Sequence, residues 1–288
     1  MDEMQFENID LYHYTTFEGL MGIVNNRTIR LTDYRFLNDP VELIYGLDKV
    51  DSELAKYDVQ TAKLYRKQIV NIRNGIGERL IFSKKTEGDE YIIKKQRDDI
   101  LRYYVFSMTH QADNLQMWHA YGSTGCRLKL NSQALLGFFC KFRDKNLFDG
   151  LLNIPRGDID YGGEHLPERI KCEMEFITDS ITAHDNVCAL CAFVKREDFK
   201  FEDEYRIFIN FSDNMLDNDT RKVFMLKGQT MVPQLEISNF PIEEILEDVI
   251  ISPFNNSDCV ELGVKEFLSY KLGRDIPIAK SSIKFRQR

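Results

Sequence analysis

Residues 201–211, FEDEYRIFINF, constrain this chain more than any other stretch. Tyr205, Ile207, Ile209 and Phe211 alternate with Arg206, Phe208 and Asn210, the period of two expected of a strand with one buried face. A lone strand is not stable in water, so the chain must supply partners. YYVFSMT (103–109), CRLKLN (126–131), VFMLKG, QLEI and EDVIISP (247–253) all read as strands, as do LYHYT (11–15) and TIRL (28–31) near the beginning. Three acids, Glu202, Asp203 and Glu204, stand at the mouth of the first-named strand, with Glu202 and Glu204 on the Arg206 face. They are either a solvated strand start or carboxylates turned to a substrate.

The helical segments are interspersed. TTFEGLMGIVNN carries Leu20, Ile23 and Val24 at helical spacing, and Thr15 with Glu18 has the form of a capping box. Asn38-Asp39-Pro40 opens a helix towards Ala55, and residues 62–82 read as a longer amphipathic helix. Residues 84–99 are polar and are expected to form a mobile loop or insertion. LQMWHAYG (115–122) suits a short helix ended by glycine, residues 168–187 are helical in pattern, and a last helix covers about 258–271. Strands and helices do not alternate as in a doubly wound sheet. The expectation is one α+β domain over residues 1–288, with a helical or loop insertion at about 40–102.

Of the 288 residues, 43% are hydrophobic, enough for a substantial core, and no apolar run has the length of a membrane span. The acidic opening MDEMQFENIDLYHY resembles neither a secretory signal nor a transit peptide, and six cysteines in such a chain suggest reduced thiols and a cytoplasmic location. The net charge of −8 argues against general nucleic-acid binding, yet the charge is uneven. Residues 63–102 hold eleven Lys and Arg against six Asp and Glu, and residues 265–288 hold seven against two. These segments are either solvated basic faces or contacts for an anionic partner such as nucleic acid.

Individual polar residues have ordinary explanations beside functional ones. His13 faces with Leu11 and Thr15, where a hydrogen-bonded core histidine is common; Ser107 and Thr109 share a strand face; Trp118 can anchor packing. Asp39 as N-cap, Pro40 as first helical residue and Glu42 at the third position form a complete helix start. Cys188 and Cys191, with His184 upstream, have metal-ligand spacing, but a closed zinc site needs four ligands and no second pair follows; no metal is expected. Glycine-rich phosphate loops and a Gly-x-Ser-x-Gly elbow are absent, Tyr161-Gly162-Gly163 reads as a turn, and a Cys/His protease stays open by composition.

Taken in order, LYHYT, NDPVE, FSMT with MWHAYG, EDEYRIF and SSIKFR resemble the bacterial family known as domain of unknown function 2971, over nearly the whole chain. More distantly, LYHYTTFEGLMGIVNNRTIRL is similar to the first strand, helix and strand of ADP-ribosyltransferases. DEYRIFI resembles the strand of poly-ADP-ribose polymerases that opens with the catalytic glutamate, and VFSMT resembles the serine strand of the arginine–serine–glutamate branch. The chain thus combines a histidine of one branch with a serine of the other.

This second resemblance implies a single ADP-ribosyltransferase-like domain with a split, curved mixed sheet. It implies an NAD-dependent ADP-ribosyltransferase acting on a macromolecule, nucleic acid or protein, as a toxin or phage-defence effector. An NAD glycohydrolase and a non-catalytic binding module of the same fold are the alternatives. Carried over residue by residue, Glu204, His13 and Ser107 form the catalytic triad, with NAD as substrate. Tyr14, Thr15, Tyr104, Thr109, Trp118, Tyr121 and Arg206 are expected to contact NAD, with Tyr104 or Tyr121 open as the stacking ring. Asn38, Asp39, Glu42 and Glu202 are expected in the cleft or at the acceptor.

Overall fold

The computed structural model describes residues 8–39, 41–74, 77–84, 91–98, 103–146, 154–175, 180–211, 216–255 and 257–284. Along the chain these form β1 (Leu11–Thr16), α1 (Phe17–Asn26), β2 (Ile29–Asp33), α2 (Glu42–Leu54), α3 (Val59–Arg73), β3 (Gly77–Lys84), β4 (Tyr91–Asp98) and β5 (Tyr103–Thr109). There follow α4 (Leu115–Met117), β6 (Gly125–Leu130), α5 (Ser132–Lys145), β7 (Arg156–Asp158), β8 (Asp160–Tyr161), α6 (Leu166–Glu175), α7 (Ser180–Ala192) and β9 (Val194–Lys195). The last part comprises β10 (Glu204–Asn210), β11 (Thr220–Lys227), β12 (Thr230–Ile237), α8 (Ile242–Ile245), β13 (Leu246–Ile251), α9 (Asp258–Leu272) and β14 (Ile278–Lys280).

This is an α+β protein built on a mostly antiparallel mixed sheet. The path of the main sheet is β11-β12-β2-β5-β1-β6-β13-β14, while β10 lies on the other side of β5 and carries β7. Among the described residues only β13 and β14 run parallel within it. Helical layers cover both faces. On one, Leu20 and Val24 of α1, Leu135 and Phe139 of α5, and Leu268 of α9 pack with Tyr205, Ile207 and Ile209. On the other, Leu47 and Val50 of α2, Tyr65 and Ile69 of α3, and Val187 of α7 pack with Tyr103, Val105 and Phe208. The α2–α3 pair, expected as an insertion, therefore shares a buried apolar cluster with the sheet.

Double coverage corrects the expectation of one buried face for FEDEYRIFINF. Glu204 through Ile209 are all buried, because β10 is paired on both edges and covered on both sides. A strand in that setting buries its polar alternate residues along with its apolar ones.

Four element boundaries also differ. The helix expected over 62–82 ends at Arg73, and a strand begins at Gly77, since glycines at 75 and 77 in the sequence disfavour continuation of a helix. Of the stretch 84–99, expected as a mobile loop, residues 91–98 pair with 77–84 as a hairpin, as the β-favouring Tyr-Ile-Ile start allows, and residues 85–90 and 99 lie outside the described residues. The helix expected over 168–187 is two helices, α6 and α7, with 176–179 outside the described residues. At α1 the N-cap is Thr16, which accepts from the Gly19 amide at 3.1 Å, and Thr15 belongs to β1.

Candidate functional site

The main sheet forks at β5. At one end of that strand, Thr109 pairs with Tyr12 of β1. At the other, Tyr104 and Val105 pair with Asp33 and Thr32 of β2. Between these points the edge of Phe106, Ser107 and Met108 has no neighbouring strand from β1 or β2, and a cavity of about 610 Å³ opens into the gap. Its volume is in the range of small-molecule sites.

At the root of the fork lies a buried charge cluster. Glu202, Glu204 and Arg206 are 3%, 5% and 1% exposed, and Lys195 from β9 is 2% exposed, so the acidic strand start is not a solvated edge. Arg206 grips Glu204 bidentately, Nε to Oε1 at 2.9 Å and a terminal nitrogen to Oε2 at 2.8 Å. Its other terminal nitrogen donates to Glu42 Oε1 and to the Ala192 carbonyl. Lys195 Nζ donates to Glu202 Oε2 at 2.5 Å and Glu204 Oε2 at 3.2 Å. The second oxygen of Glu202 accepts from the Asn38 amide at 2.8 Å and the Tyr121 hydroxyl at 2.6 Å. The Glu204 amide donates to the Tyr161 hydroxyl at 2.9 Å, which fixes where the strand begins.

Protonation follows from these contacts. Burial works to raise the Glu204 carboxyl, but Arg206 and Lys195, with hydrogen bonds from Arg206 and Ser107, outweigh it and hold the pKa down to about 2. Burial raises Glu42 despite the pull of Arg206 and Lys195, and its Oε2 accepts no hydrogen bond among the described residues. Burial would lower Lys195, yet the charge of Glu204, followed by Glu42 and Glu202, raises it above its ordinary value. Three carboxyls thus face two cations, and Glu42 keeps a proton more readily than Glu204. A buried ion-pair cluster is weak evidence for stability, whereas perturbed groups lining a cleft point to a functional site.

His13 enters from β1. Its Nδ1 donates to the Ser107 carbonyl at 3.0 Å, filling the main-chain acceptor that the fork leaves without a strand partner. That bond requires the proton on Nδ1 and leaves Nε2 as an acceptor. Burial, helped by the charge of Lys227 and opposed by the Ser107 carbonyl, lowers the His13 pKa, which keeps the ring neutral at physiological pH.

Of the residues singled out from the sequence, His13, Ser107, Glu204, Tyr14, Thr15, Thr109, Tyr121, Arg206, Asn38 and Glu202 line this one cavity. Four others do not. Tyr104 is 2% exposed within the core on the α1 side, and Trp118 is fully buried with its indole N–H on Asp113, so neither is available to stack on a ligand. Tyr14 instead meets Trp118 edge-on at 4.7 Å and donates to the Gln111 carbonyl. Asp39 pairs with Arg196 at 3.0 Å, and Glu42 lies behind Arg206.

The helix start expected at Asp39 is corrected as well. The helix begins at Glu42 with Val41 as its cap residue, Asp39 accepts from the Val41 amide, and Pro40 lies outside the described residues. The Glu42 carboxylate turns inward to Arg206 and does not return to the cap, because a buried guanidinium is the stronger partner.

His184 and Cys188, read as possible ligands beside Cys191, lie on α7. Both contact the Tyr103 hydroxyl inside the helical core, and among the described residues no group of three or more His, Cys, Asp or Glu could hold a metal ion. Lys63, Arg66, Lys67 and Arg73, with Lys265, Lys271, Arg274, Lys280 and Lys284, are not among the residues that line the cavity. No helix among the described residues is long and apolar enough to cross a membrane.

Sequence reasoning missed Lys195, Gln234 and Lys227. A lysine directly after the apolar run Cys188–Val194 was a readable sign of a buried charge. Gln234 and Lys227 carry no such sign, since they reach the cavity only because the β11–β12 hairpin pairs with β2. No protein-family model matches the chain, and no curated protein or solved structure matches it. The sequence motifs alone carry the resemblances described above.

Proposed function

We propose that the chain has an ADP-ribosyltransferase-like fold and that its cavity takes NAD, breaking the nicotinamide N-glycosidic bond and passing ADP-ribose to a macromolecular acceptor. The reading rests on one observation. Side chains from β1, β5 and β10, distant in sequence, converge on a single cavity as His13, Ser107 and Glu204. Candidate catalytic groups are expected to converge in this way.

In the proposed reaction the bond between ribose C1′ and the nicotinamide nitrogen breaks, and its electron pair leaves with neutral nicotinamide. The acceptor's lone pair forms the new bond to C1′, and the acceptor's proton departs. Positive charge grows on the sugar, as in glycoside hydrolysis. Glu204 is held ionised beside that charge, and a preorganised carboxylate assists most at the moment the charge develops. Among the described residues, Glu202 Oε1 is held by the neutral donors Asn38 and Tyr121, which ribose hydroxyls can replace. Neutral His13 presents Nε2 as an acceptor for a further hydroxyl.

One observation favours a second reading. Arg206 and Lys195 already occupy acceptor positions on both oxygens of Glu204, as suits a binding module that does not turn its ligand over. Incubation with NAD labelled in its ADP-ribose part separates the cases. Transfer gives labelled macromolecule, hydrolysis gives free ADP-ribose, and a binding module gives neither. Glu204→Gln is expected to lower turnover by on the order of 10²–10³. Unchanged turnover in a folded Glu204→Gln protein would remove Glu204 from the chemistry.

A further inference from the structure

The far wall of the cavity carries a polar group whose hydrogen bonding is incomplete. Gln234 of β12 is 4% exposed and lines the cavity. Its Nε2 donates to Thr32 Oγ1 at 3.3 Å, but its buried Oε1 accepts nothing among the described residues. Leaving a buried amide oxygen without a donor is unfavourable. A ligand meets that oxygen when the amide turns into the cavity, and a donor placed there removes that cost.

The sheet register says which part of a ligand reaches this wall. Gln234 pairs with Thr32, Thr32 with Val105, and Val105 with Phe208, so these side chains share one face of the sheet with Glu204 and Arg206. Three strand spacings separate β12 from β10, roughly 14 Å, and Glu204 lies four residues along from Phe208, roughly a further 13 Å. A single nucleoside does not bridge that separation, whereas the two ends of a dinucleotide do. Lys227 also lines the cavity from the hairpin, near enough to His13 for its charge to act on the ring. Among the described residues it has no carboxylate at ion-pair distance, so it is suited to a ligand's phosphates.

We propose that Gln234 reads the adenine base of the bound nucleotide, accepting from the exocyclic amine at Oε1 and donating its second Nε2 hydrogen to N7. This rests on the NAD reading of the same cavity and assigns its distal end. The pairing is the one by which glutamine recognises adenine in nucleic acids. Hypoxanthine presents two acceptors at those positions and cannot satisfy the amide in either orientation.

The test uses ligands that lack the scissile bond: ADP-ribose, its hypoxanthine counterpart, and free nicotinamide, each titrated calorimetrically. The full-length protein is expected to bind ADP-ribose at least about fivefold more tightly than the hypoxanthine form. Gln234→Leu is expected to abolish that preference and to leave nicotinamide binding unchanged. Equal binding of the two sugars by the unaltered protein overturns the proposal without recourse to a variant, and so does failure of ADP-ribose to bind. A preference surviving in Gln234→Leu, or a loss confined to nicotinamide, overturns it too. An adenine preference without turnover of NAD leaves this site standing and removes the transfer reading; turnover without the preference does the reverse.

Discussion

Replacing Arg206 by Met tests whether the buried cluster holds together as described. Arg206 is 1% exposed and supplies two hydrogen bonds to Glu204, one to Glu42 and one to the Ala192 carbonyl. Its removal leaves three buried carboxyls sharing Lys195. Breaking a buried pair from one side costs about 3–5 kcal/mol. Glu204 gives a separate measure: holding its carboxyl at about 2, against an ordinary 4.5, corresponds to roughly 3 kcal/mol of preference for the charged form.

The sign of the pH dependence should also reverse. In the intact protein the depressed Glu204 contributes stability above the unfolded value near 4.5, lost as the pH falls towards 2. Without Arg206, burial dominates and the folded pKa rises above 4.5. The variant then binds more protons folded than unfolded and loses stability as the pH rises. Urea unfolding at pH 5 and pH 8 reads both effects. Arg206→Met should be destabilised by about 3–5 kcal/mol at pH 8 and measurably less at pH 5. A loss below about 1 kcal/mol, equal at both pH values, would refute the reasoning.

Two further stability measurements probe the walls of the fork. Thr16→Ala should cost about 1 kcal/mol in urea unfolding because it removes the cap on the Gly19 amide, whereas Thr15→Ala should stay within about 0.5 kcal/mol; equal losses would return the cap to the position read from the sequence. Gly125→Ala should destabilise by about 1–3 kcal/mol, since the new Cβ would lie 2.0 Å from the Thr15 carbonyl oxygen and 2.5 Å from the Thr16 Cα, backbone atoms that cannot swing away. A neutral Gly125→Ala would mean that β1 and β6 are not pinned together at that point.

Local pattern carried much of the fold because it is local physics. The strands at 103–109, 126–131 and 204–210 follow from alternation and β-favouring residues, and the helices α1 and α9 are each capped by a side chain, Thr16 and Ser257, whereas α5, capped by Asn131, is not among the helices expected from the sequence. Boundaries slipped where two signals compete within a few residues. Thr15 and Thr16 can each cap α1, and sheet pairing of Thr15 with Cys126 decides between them. At NDPVE a complete helix-start pattern is present, yet Asp39 and Glu42 are drawn to Arg196 and Arg206, partners 157 and 164 residues away that no local rule can weigh.

By its own residues the chain determines that it is an α+β protein whose acids at 202–204 lead into a strand, and that His13, Ser107 and Glu204 are worth examining together. Only the tertiary structure decides that those acids are buried, that β1 and β2 part company along β5, and that Lys195 and Gln234 join the same cavity. The reason is the range of the forces involved. Propensity, capping and side-chain periodicity act over a few residues and are written in sequence order. Which strand lies beside which, and hence which charges share one low-dielectric space, depends on pairings between segments a hundred or more residues apart.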